Sequence, residues 1–186
     1  MKLKVLGTQS PNAINEDIRG ENNSFANYHE ISENTKINIG SIQITFCKTD
    51  HPVETYAIKV SCKGKDIVYT SDTSFSARDK IVEFAKGADL LICESSLLEK
   101  YGFPEINSHL TAKQAGIIAK EAQVKKLMLT HFWPEELPRK YVKEAKKEFS
   151  KVILAKEGKY NITWIYTKIV HNDKNKILSS IVSKIK

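Results

Sequence analysis

The feature that most constrains the fold is a change of pattern near residue 70, from successive short strands to strands that alternate with helices. Before this point Ile42, Ile44 and Phe46 alternate with polar residues and glycine turns separate the segments, which is typical of a β-meander. After it, segments with helical spacing separate the apolar runs. This order predicts a mixed α/β domain. The predicted strands are 2–6, 36–39, 42–47, 56–62, 67–70, 89–93, 126–130, 152–155 and 162–166.

Three helices are predicted in the second half of the chain. Ser76 with Asp79 resembles an N-terminal cap pair, and Thr111 with Gln114 forms a capping box. Pro138 is predicted to open the third helix, because its fixed φ suits the first helical turn. The predicted core face of that helix is Tyr141, Ala145 and Phe149.

Composition narrows the class of protein. The chain has 186 residues, of which 41% are hydrophobic and 27% charged, as expected of one globular domain. No apolar run approaches the roughly 20 residues that span a bilayer, so no membrane partner is expected. Cys47, Cys62 and Cys93 are too widely spaced to suggest a disulfide framework or a zinc finger, which favours a cytoplasmic location.

The net charge and the segments without a clear hydrophobic period say less about structure and partners. The net charge of +7 permits a polyanionic partner, but general enrichment in Lys, Ile and Asn explains it equally well. Residues 12–35 have no sustained period and are predicted to form a loop. Residues 174–186 carry isoleucines four apart and are predicted to form a basic helix on the protein surface rather than in a membrane.

Ionisable residues follow three predicted strands of the second half, where Asp72, Glu94 and His131 come at or just after the strand ends. In α/β sheets, groups beyond the carboxyl ends of strands line the ligand crevice. His51 and His109 lie in turn-like sequence suited to the same site. Imidazoles together with carboxylates form the ligand set of zinc, manganese or iron.

Each of these residues also has a purely structural explanation. Asp72 caps a turn in this view, and His131 is a half-buried, hydrogen-bonded histidine. His109 bonds the terminus of the following helix, His51 belongs to a β-turn, and Glu94 supports a neighbour or ends a solvated strand. The two other histidines lie in polar surroundings and are predicted to be surface residues: His29 and His171.

The order of these segments resembles a known family. The matching pieces are the first strand with Gly7-Thr8, His51-Pro-Val-Glu-Thr-Tyr, Tyr69-Thr-Ser-Asp72-Thr, Ala88-Asp-Leu-Leu-Ile-Cys-Glu94-Ser, Ser108-His109-Leu-Thr-Ala and Leu129-Thr-His131-Phe. From about His51 to Tyr160 the chain resembles the metallo-β-lactamase superfamily, in particular the branch of ribonuclease Z and small cyclic-phosphodiester hydrolases. The resemblance implies an αββα sandwich, with two sheets inside and helices on both outer faces.

The resemblance also implies roles for the candidate residues. Members of the family hold two metal ions, here zinc or manganese, with seven residues. His51 matches the lone histidine of the first site, Asp72 the carboxylate that bridges both metals, and His131 the last histidine of the second site. His109 matches a histidine that assists proton transfer, and Glu94 matches an acidic neighbour that orients it. Asp72, His109 and Glu94 are therefore the implied catalytic residues.

The sequence departs from the family at one motif. It contains no H-x-H-x-D-H, which supplies the other four ligands, and the corresponding interval holds only His29. We interpret this as deletion of a block near residues 11–15. The expected organisation is a domain over 1–162 that is incomplete in its N-terminal half, followed by a basic extension over 163–186. An exposed sheet edge would remain, and a second copy of the chain could cover it.

Two functions follow from these observations. The first is a metal-dependent hydrolase that acts on a small phosphodiester or an RNA-like substrate. The alternative is a catalytically inactive, truncated relative that serves as a binding or assembly module, because about two protein ligands per metal would remain where a catalytic zinc usually has three. A nucleic-acid-binding domain ranks third, since basic and aromatic residues are not interleaved.

Overall fold

Four antiparallel strands confirm the predicted meander. They are β3 (Lys36–Ile39), β4 (Ile42–Lys48), β5 (Tyr56–Cys62) and β6 (Lys65–Tyr69), and each pairs with the next. The β5–β6 hairpin turns at Lys63 and Gly64, which both have positive φ (49° and 72°), as the tightest hairpin loops require. Ile42, Ile44 and Phe46 are buried, as their alternation predicts.

The computed structural model describes residues 3–7, 26–101 and 108–156. In these residues the sheet continues from β6 through parallel strands β7 (Leu90–Glu94), β8 (Leu127–Thr130) and β9 (Val152–Leu154), giving seven strands in the order β3 to β9. The connecting helices are α1 (Arg78–Ala85), α2 (Ala112–Glu121) and α3 (Pro138–Ala145). Two short 3₁₀ helices occupy Phe75–Ala77 and Glu99–Tyr101. The predicted mixed α/β class is confirmed.

The helices pack on one face of the parallel strands. The register places Val68, Leu91, Leu127 and Val152 side by side in the sheet, and all four belong to the buried core. The helical residues of that core include Ile81, Ala85, Ala115, Ile118, Tyr141 and Ala145. Helices α2 and α3 approach closely at Gly116, where a Cβ atom would lie 2.7 Å from the Ala145 carbonyl oxygen.

The caps agree with the predictions at two of three helices. Thr111 and Gln114 form the capping box of α2, and Pro138 opens α3. The cap predicted at Ser76 is wrong: Ser74 caps the 3₁₀ helix, accepting from the Ser76 amide at 3.1 Å. The Ser76 hydroxyl instead donates to Asp50. Phe149 lies beyond the end of α3 and is only partly buried.

The segment 12–35 contains a strand that the sequence did not predict. Strand β1 (Leu3–Gly7), predicted one residue earlier, pairs in parallel with β2 (Ala26–Glu30). The loop prediction is therefore wrong over 26–30, where polar residues hide the strand from an analysis of periodicity. Strands β3 and β9 are the outer strands of the described seven-stranded sheet. That a second copy covers an edge stays a prediction.

The chain divides into two units, Met1–Leu154 and Ala155–Lys186. The boundary predicted after residue 162, the strand predicted at 162–166 and the helix predicted at 174–186 all lie outside the described residues. None of the described helices combines the length and the hydropathy that a bilayer-spanning segment needs. The described cysteines, Cys47, Cys62 and Cys93, are buried and unbridged.

Candidate metal centre

The three predicted strand-end residues lie at one edge of the sheet. Strands β6, β7 and β8 are parallel neighbours, so their carboxyl ends meet there. Asp72 lies shortly beyond β6, Glu94 ends β7, and His131 directly follows β8. The site is therefore built by the topology of the parallel strands, as the sequence analysis predicted.

Two further histidines reach the same edge from loops. His51 lies in the loop of residues 49–55 that joins β4 to β5, and His109 lies shortly before the α2 cap. The ring centroids of His51 and His109 are 5.2 Å apart, and those of His109 and His131 are 5.1 Å apart. The structure thus brings together all five residues selected from the sequence.

The Asp72–His131 pair joins the ends of β6 and β8. His131 Nδ1 lies 2.8 Å from Asp72 Oδ1. The hydrogen bond from His131 lowers the pKa of Asp72, and the same contact raises the pKa of His131. His131 has a φ of +57°, and Ser71, next to Asp72, has +54°. Such strained residues persist only where their surroundings hold them, and they cluster at functional sites.

The Glu94–His109 pair is more buried than the Asp72–His131 pair. The Glu94 side chain is fully buried (0% exposed), and its Oε1 lies 2.9 Å from His109 Nδ1. The Thr73 amide also donates to Oε1 at 2.8 Å, and the Ser96 hydroxyl donates to Oε2 at 3.1 Å. The hydrogen bond to Glu94 raises the pKa of His109. A carboxylate fixed by several donors holds the imidazole in one orientation and leaves Nε2 available.

The ring of His51 can adopt either tautomer. Its Nδ1 lies 3.3 Å from the Val53 amide nitrogen and 3.2 Å from the Val53 carbonyl oxygen. When Nδ1 is protonated, it donates to the carbonyl and Nε2 keeps a lone pair for a metal ion. When Nδ1 is unprotonated, it accepts from the amide instead.

Two overlapping groups could hold a metal ion. One is His51, Asp72 and His109, and the other is Glu94, His109 and His131; within each, the ligand atoms lie within 4.8 Å of one another. Tetrahedral zinc places its ligands about 3.4 Å apart, so the atoms of either group would have to move closer together to bind one ion. Imidazole and carboxylate donors fit zinc or manganese. Neither group contains His51 and His131 together, and the resemblance likewise assigns these two histidines to different metal sites with Asp72 as the bridge; that assignment stays a prediction.

Several supporting residues were missed by the sequence analysis. Thr73 and Ser96 bind Glu94, while Thr49 and Thr55 bind the backbone of Asp72. The signal was present, because each lies within two residues of a candidate residue or at the end of the loop that carries one. Hydroxyl residues are common in turns, however, and only the fold shows which partner each one finds.

Comparison with known proteins identifies the family. A family model described as "Beta-lactamase superfamily domain" matches residues 5–132, more than half of the chain. The chain belongs to the beta-lactamase superfamily. The predicted family is thereby confirmed.

Two curated proteins are similar to this chain in sequence. The Bacillus subtilis (strain 168) protein named "Probable metallo-hydrolase YhfI" is 38% identical over 120 residues, which cover 64% of this chain and 48% of YhfI. The ribonuclease Z of Protochlamydia amoebophila (strain UWE25) is 41% identical over 90 residues, which cover 47% of this chain and 28% of that enzyme. These sequence matches cover less than half the length of either relative.

Two solved structures share the fold. The crystal structure of the metallo-beta-lactamase fold protein YhfI from Bacillus subtilis matches with a TM-score of 0.72 and 30% identity, covering 85% of this chain and 64% of YhfI. Human tRNase Z, short form, matches with a TM-score of 0.51 and 22% identity, over 77% and 51% of the two chains. The second likeness concerns the fold alone. Together they confirm the predicted metallo-β-lactamase-type fold.

Proposed function

We propose that this protein is a metal-dependent hydrolase of phosphodiester-type substrates, either a small phosphodiester or an RNA-like strand. The observation that carries the proposal is the convergence of His51, Asp72, Glu94, His109 and His131 at one sheet edge. Relatives named metallo-hydrolase and ribonuclease Z support the same class of chemistry. The two carboxylates and three imidazoles form a donor set that suits a divalent cation.

In this proposal His51, Asp72 and His131 bind zinc or manganese. A divalent cation in that place supplies Lewis-acid activation of a phosphoryl oxygen and of water. Asp72 contributes a carboxylate that stays ionised, since the hydrogen bond from His131 lowers its pKa. His51 presents Nε2 when its Nδ1–H donates to the Val53 carbonyl oxygen.

His109 serves as the proton donor to the leaving group. Its Nδ1–H donates to Glu94, so the proton on Nε2 is the one that can be transferred. The raised pKa of His109 keeps more of the imidazole protonated near neutral pH, as a general acid requires. Glu94 holds the ring through transfer and stabilises its charged form.

A second candidate function is an inactive binding or assembly module. The absence of H-x-H-x-D-H from the sequence favours it, because that motif carries the remaining family ligands. The two candidates differ in metal content and in turnover. Sequencing of the gene around codons 11–15 bears on both, since an intact reading frame for the motif would make this chain an incomplete product of a working enzyme.

The deciding experiment titrates the purified protein with Zn²⁺ and Mn²⁺ and then measures hydrolysis of bis(p-nitrophenyl) phosphate. Asp72→Ala and His131→Ala are expected to abolish metal binding and hydrolysis. His29→Ala is the matched control, since it removes an exposed imidazole from β2 and should change neither. Unchanged hydrolysis in both site variants contradicts the proposed site. A wild-type protein without metal and without turnover supports the inactive module.

A further inference from the structure

Hydroxyl groups join the two loops that carry His51 and Asp72. Thr49 and Thr55 are the first and last residues of the 49–55 loop, and the Thr49 amide donates to the Thr55 carbonyl oxygen at 3.1 Å. The Oγ1 atoms of both threonines contact each other, and each lies 3.0 Å from the carbonyl oxygen of Asp72. We call these two hydroxyls and the Asp72 carbonyl the hydroxyl clamp.

The Asp72 carbonyl needs partners of this kind. Strand β6 ends at Tyr69, and Ser71 turns the backbone away with a φ of +54°, so Asp72 lies outside the sheet ladder. A carbonyl oxygen that is partly shielded from water is stabilised by hydrogen-bond donors, and its two lone pairs can accept from two of them. The two threonine hydroxyls meet this need, and Thr49 is buried while doing so.

A second set of contacts ties the same loops together. The Ser74 amide donates to the Asp50 carbonyl oxygen at 2.7 Å, and the hydroxyls of Ser74 and Ser76 donate to the Asp50 carboxylate. The Ser71 hydroxyl donates to the carbonyl oxygen of Tyr56, the first residue of β5, at 2.7 Å. Residues next to or near His51 and Asp72 therefore also hydrogen-bond the two loops to each other and to β5.

We propose that Thr49 and Thr55 are positioning residues, whose hydroxyl clamp fixes the His51 loop against Asp72 and so presets the geometry of the candidate metal centre. Neither threonine needs to touch the metal or the substrate. The clamp itself does not depend on metal binding, but its consequence for metal affinity rests on the proposed function. A loop held in advance loses less conformational freedom when a ligand binds, which raises affinity.

The first test uses the metal-free protein and measures amide hydrogen exchange by NMR in the double variant Thr49→Val/Thr55→Val. Valine keeps the shape of threonine and removes the hydroxyl. We expect exchange of the Ser74 amide to accelerate about tenfold, as loss of a buried hydrogen-bond network allows. Exchange of the Leu127 amide, which bonds Lys151 in the sheet, should stay unchanged. Equal protection of Ser74 in both proteins overturns the proposal.

The second test measures Zn²⁺ affinity by calorimetry in the same variants. Affinity should fall about 10- to 100-fold, the range found for residues that orient metal ligands. Thr49→Ser/Thr55→Ser should restore it, because serine returns both hydroxyls. Thr45→Val on β4 is the matched control, and its affinity should equal that of the wild type. Unchanged affinity in the double valine variant overturns the positioning role.

The two tests separate this inference from the proposed function. If Ser74 exchanges faster in the double valine variant but the wild type binds no metal, the hydroxyl clamp is supported and the proposed hydrolase function is contradicted. If the double valine variant binds metal as tightly as the wild type, the positioning role is contradicted and the proposed hydrolase function is not affected. A uniform rise in exchange that includes Leu127 indicates a general loss of stability, and it also counts against a specific clamp.

Discussion

A carboxylate lies at each end of strand β7, and different kinds of side chain donate hydrogen bonds to the two. Asp89, directly before the strand, accepts from Lys125 Nζ at 2.8 Å, from Lys65 Nζ at 3.0 Å and from the Asp66 amide at 3.1 Å. Glu94, at the other end, accepts from His109 Nδ1 at 2.9 Å. Both carboxylates are held by several donors, so the difference lies in the side chains that provide them.

The difference separates a structural cluster from a candidate reaction centre. An ammonium group keeps its charge over the physiological pH range and has no lone pair, so the Asp89 cluster is closed to further ligands. An imidazole can lose a proton and then bind a cation through its free nitrogen. Hydrogen bonding of a carboxylate therefore does not mark a site by itself. The histidines that meet at the edge formed by the carboxyl ends of β6 to β8 do so.

The largest expected effect is that Asp72→Asn lowers hydrolysis whereas Asp89→Asn lowers stability. Asp72→Asn should lower metal-dependent hydrolysis by at least about 100-fold, beyond the usual loss for residues that only orient ligands. Asp89→Asn should leave hydrolysis unchanged and lower stability instead. Bis(p-nitrophenyl) phosphate turnover and urea unfolding of both variants check this contrast. Equal losses of turnover in the two variants would remove the distinction between the two ends of the strand.

Glu94 should show the largest effect on stability. Replacement by alanine leaves the Thr73 amide and the Ser96 hydroxyl without their buried acceptor, so we expect a loss of about 3 kcal/mol in the free energy of unfolding. Glu94→Gln keeps an acceptor oxygen and the volume, and should cost about 1 kcal/mol. Urea unfolding measures both. Equal costs for the two variants would mean that the hydrogen bonds to Thr73 and Ser96 contribute little.

The site was largely predictable because its residues follow strong local patterns. Asp72, Glu94 and His131 come at the ends of apolar strands that alternate with helices, and that order alone makes parallel neighbours whose ends converge. That the ligand atoms of His109, His51 and Asp72 come within reach of one ion was not predictable. It depends on the distance between two loops, which tertiary contacts determine and sequence spacing does not.

The fold was predictable where burial imposes a period. Strand β4 alternates buried and exposed residues and was recognised, whereas β2 reads Ala-Asn-Tyr-His-Glu and was not. Its pairing with β1 joins segments about 20 residues apart, and no turn sequence signals such a parallel contact. The Asp89 cluster was missed for a similar reason, since Lys65 and Lys125 lie far from Asp89 in sequence.

The pH dependence of the Asp89 cluster provides a sharper test. Burial alone would raise the pKa of Asp89, but hydrogen bonds from Lys125, the Asp66 amide and Lys65 lower it to about 2. Because the pKa is lower in the folded state, this stabilisation is present above about pH 4 and is lost as the pH falls towards 2. We expect Asp89→Asn to cost about 1 kcal/mol at pH 7, since the exposed ammonium groups are screened by solvent. The difference from the wild type should be mostly lost by about pH 2 in urea unfolding, and a difference that is undiminished there would contradict the assigned cause.

The two lysines of that cluster should have the smallest effects and should differ only slightly. The Lys65 and Lys125 side chains are 60% and 61% exposed, so each replacement by glutamine leaves Asp89 with the other ammonium group and the Asp66 amide. We expect each to cost about 0.5 kcal/mol and to lose that cost in 1 M salt. The double variant should cost more than the sum, because the carboxylate then loses both cations while still partly buried. If the cost of the double variant in urea unfolding equals the sum of the two single costs, Asp89 is hydrated well enough to need neither lysine. The difference between Asp89 and the buried Glu94 would then come from solvent access, and not from having lysine or histidine as the partner.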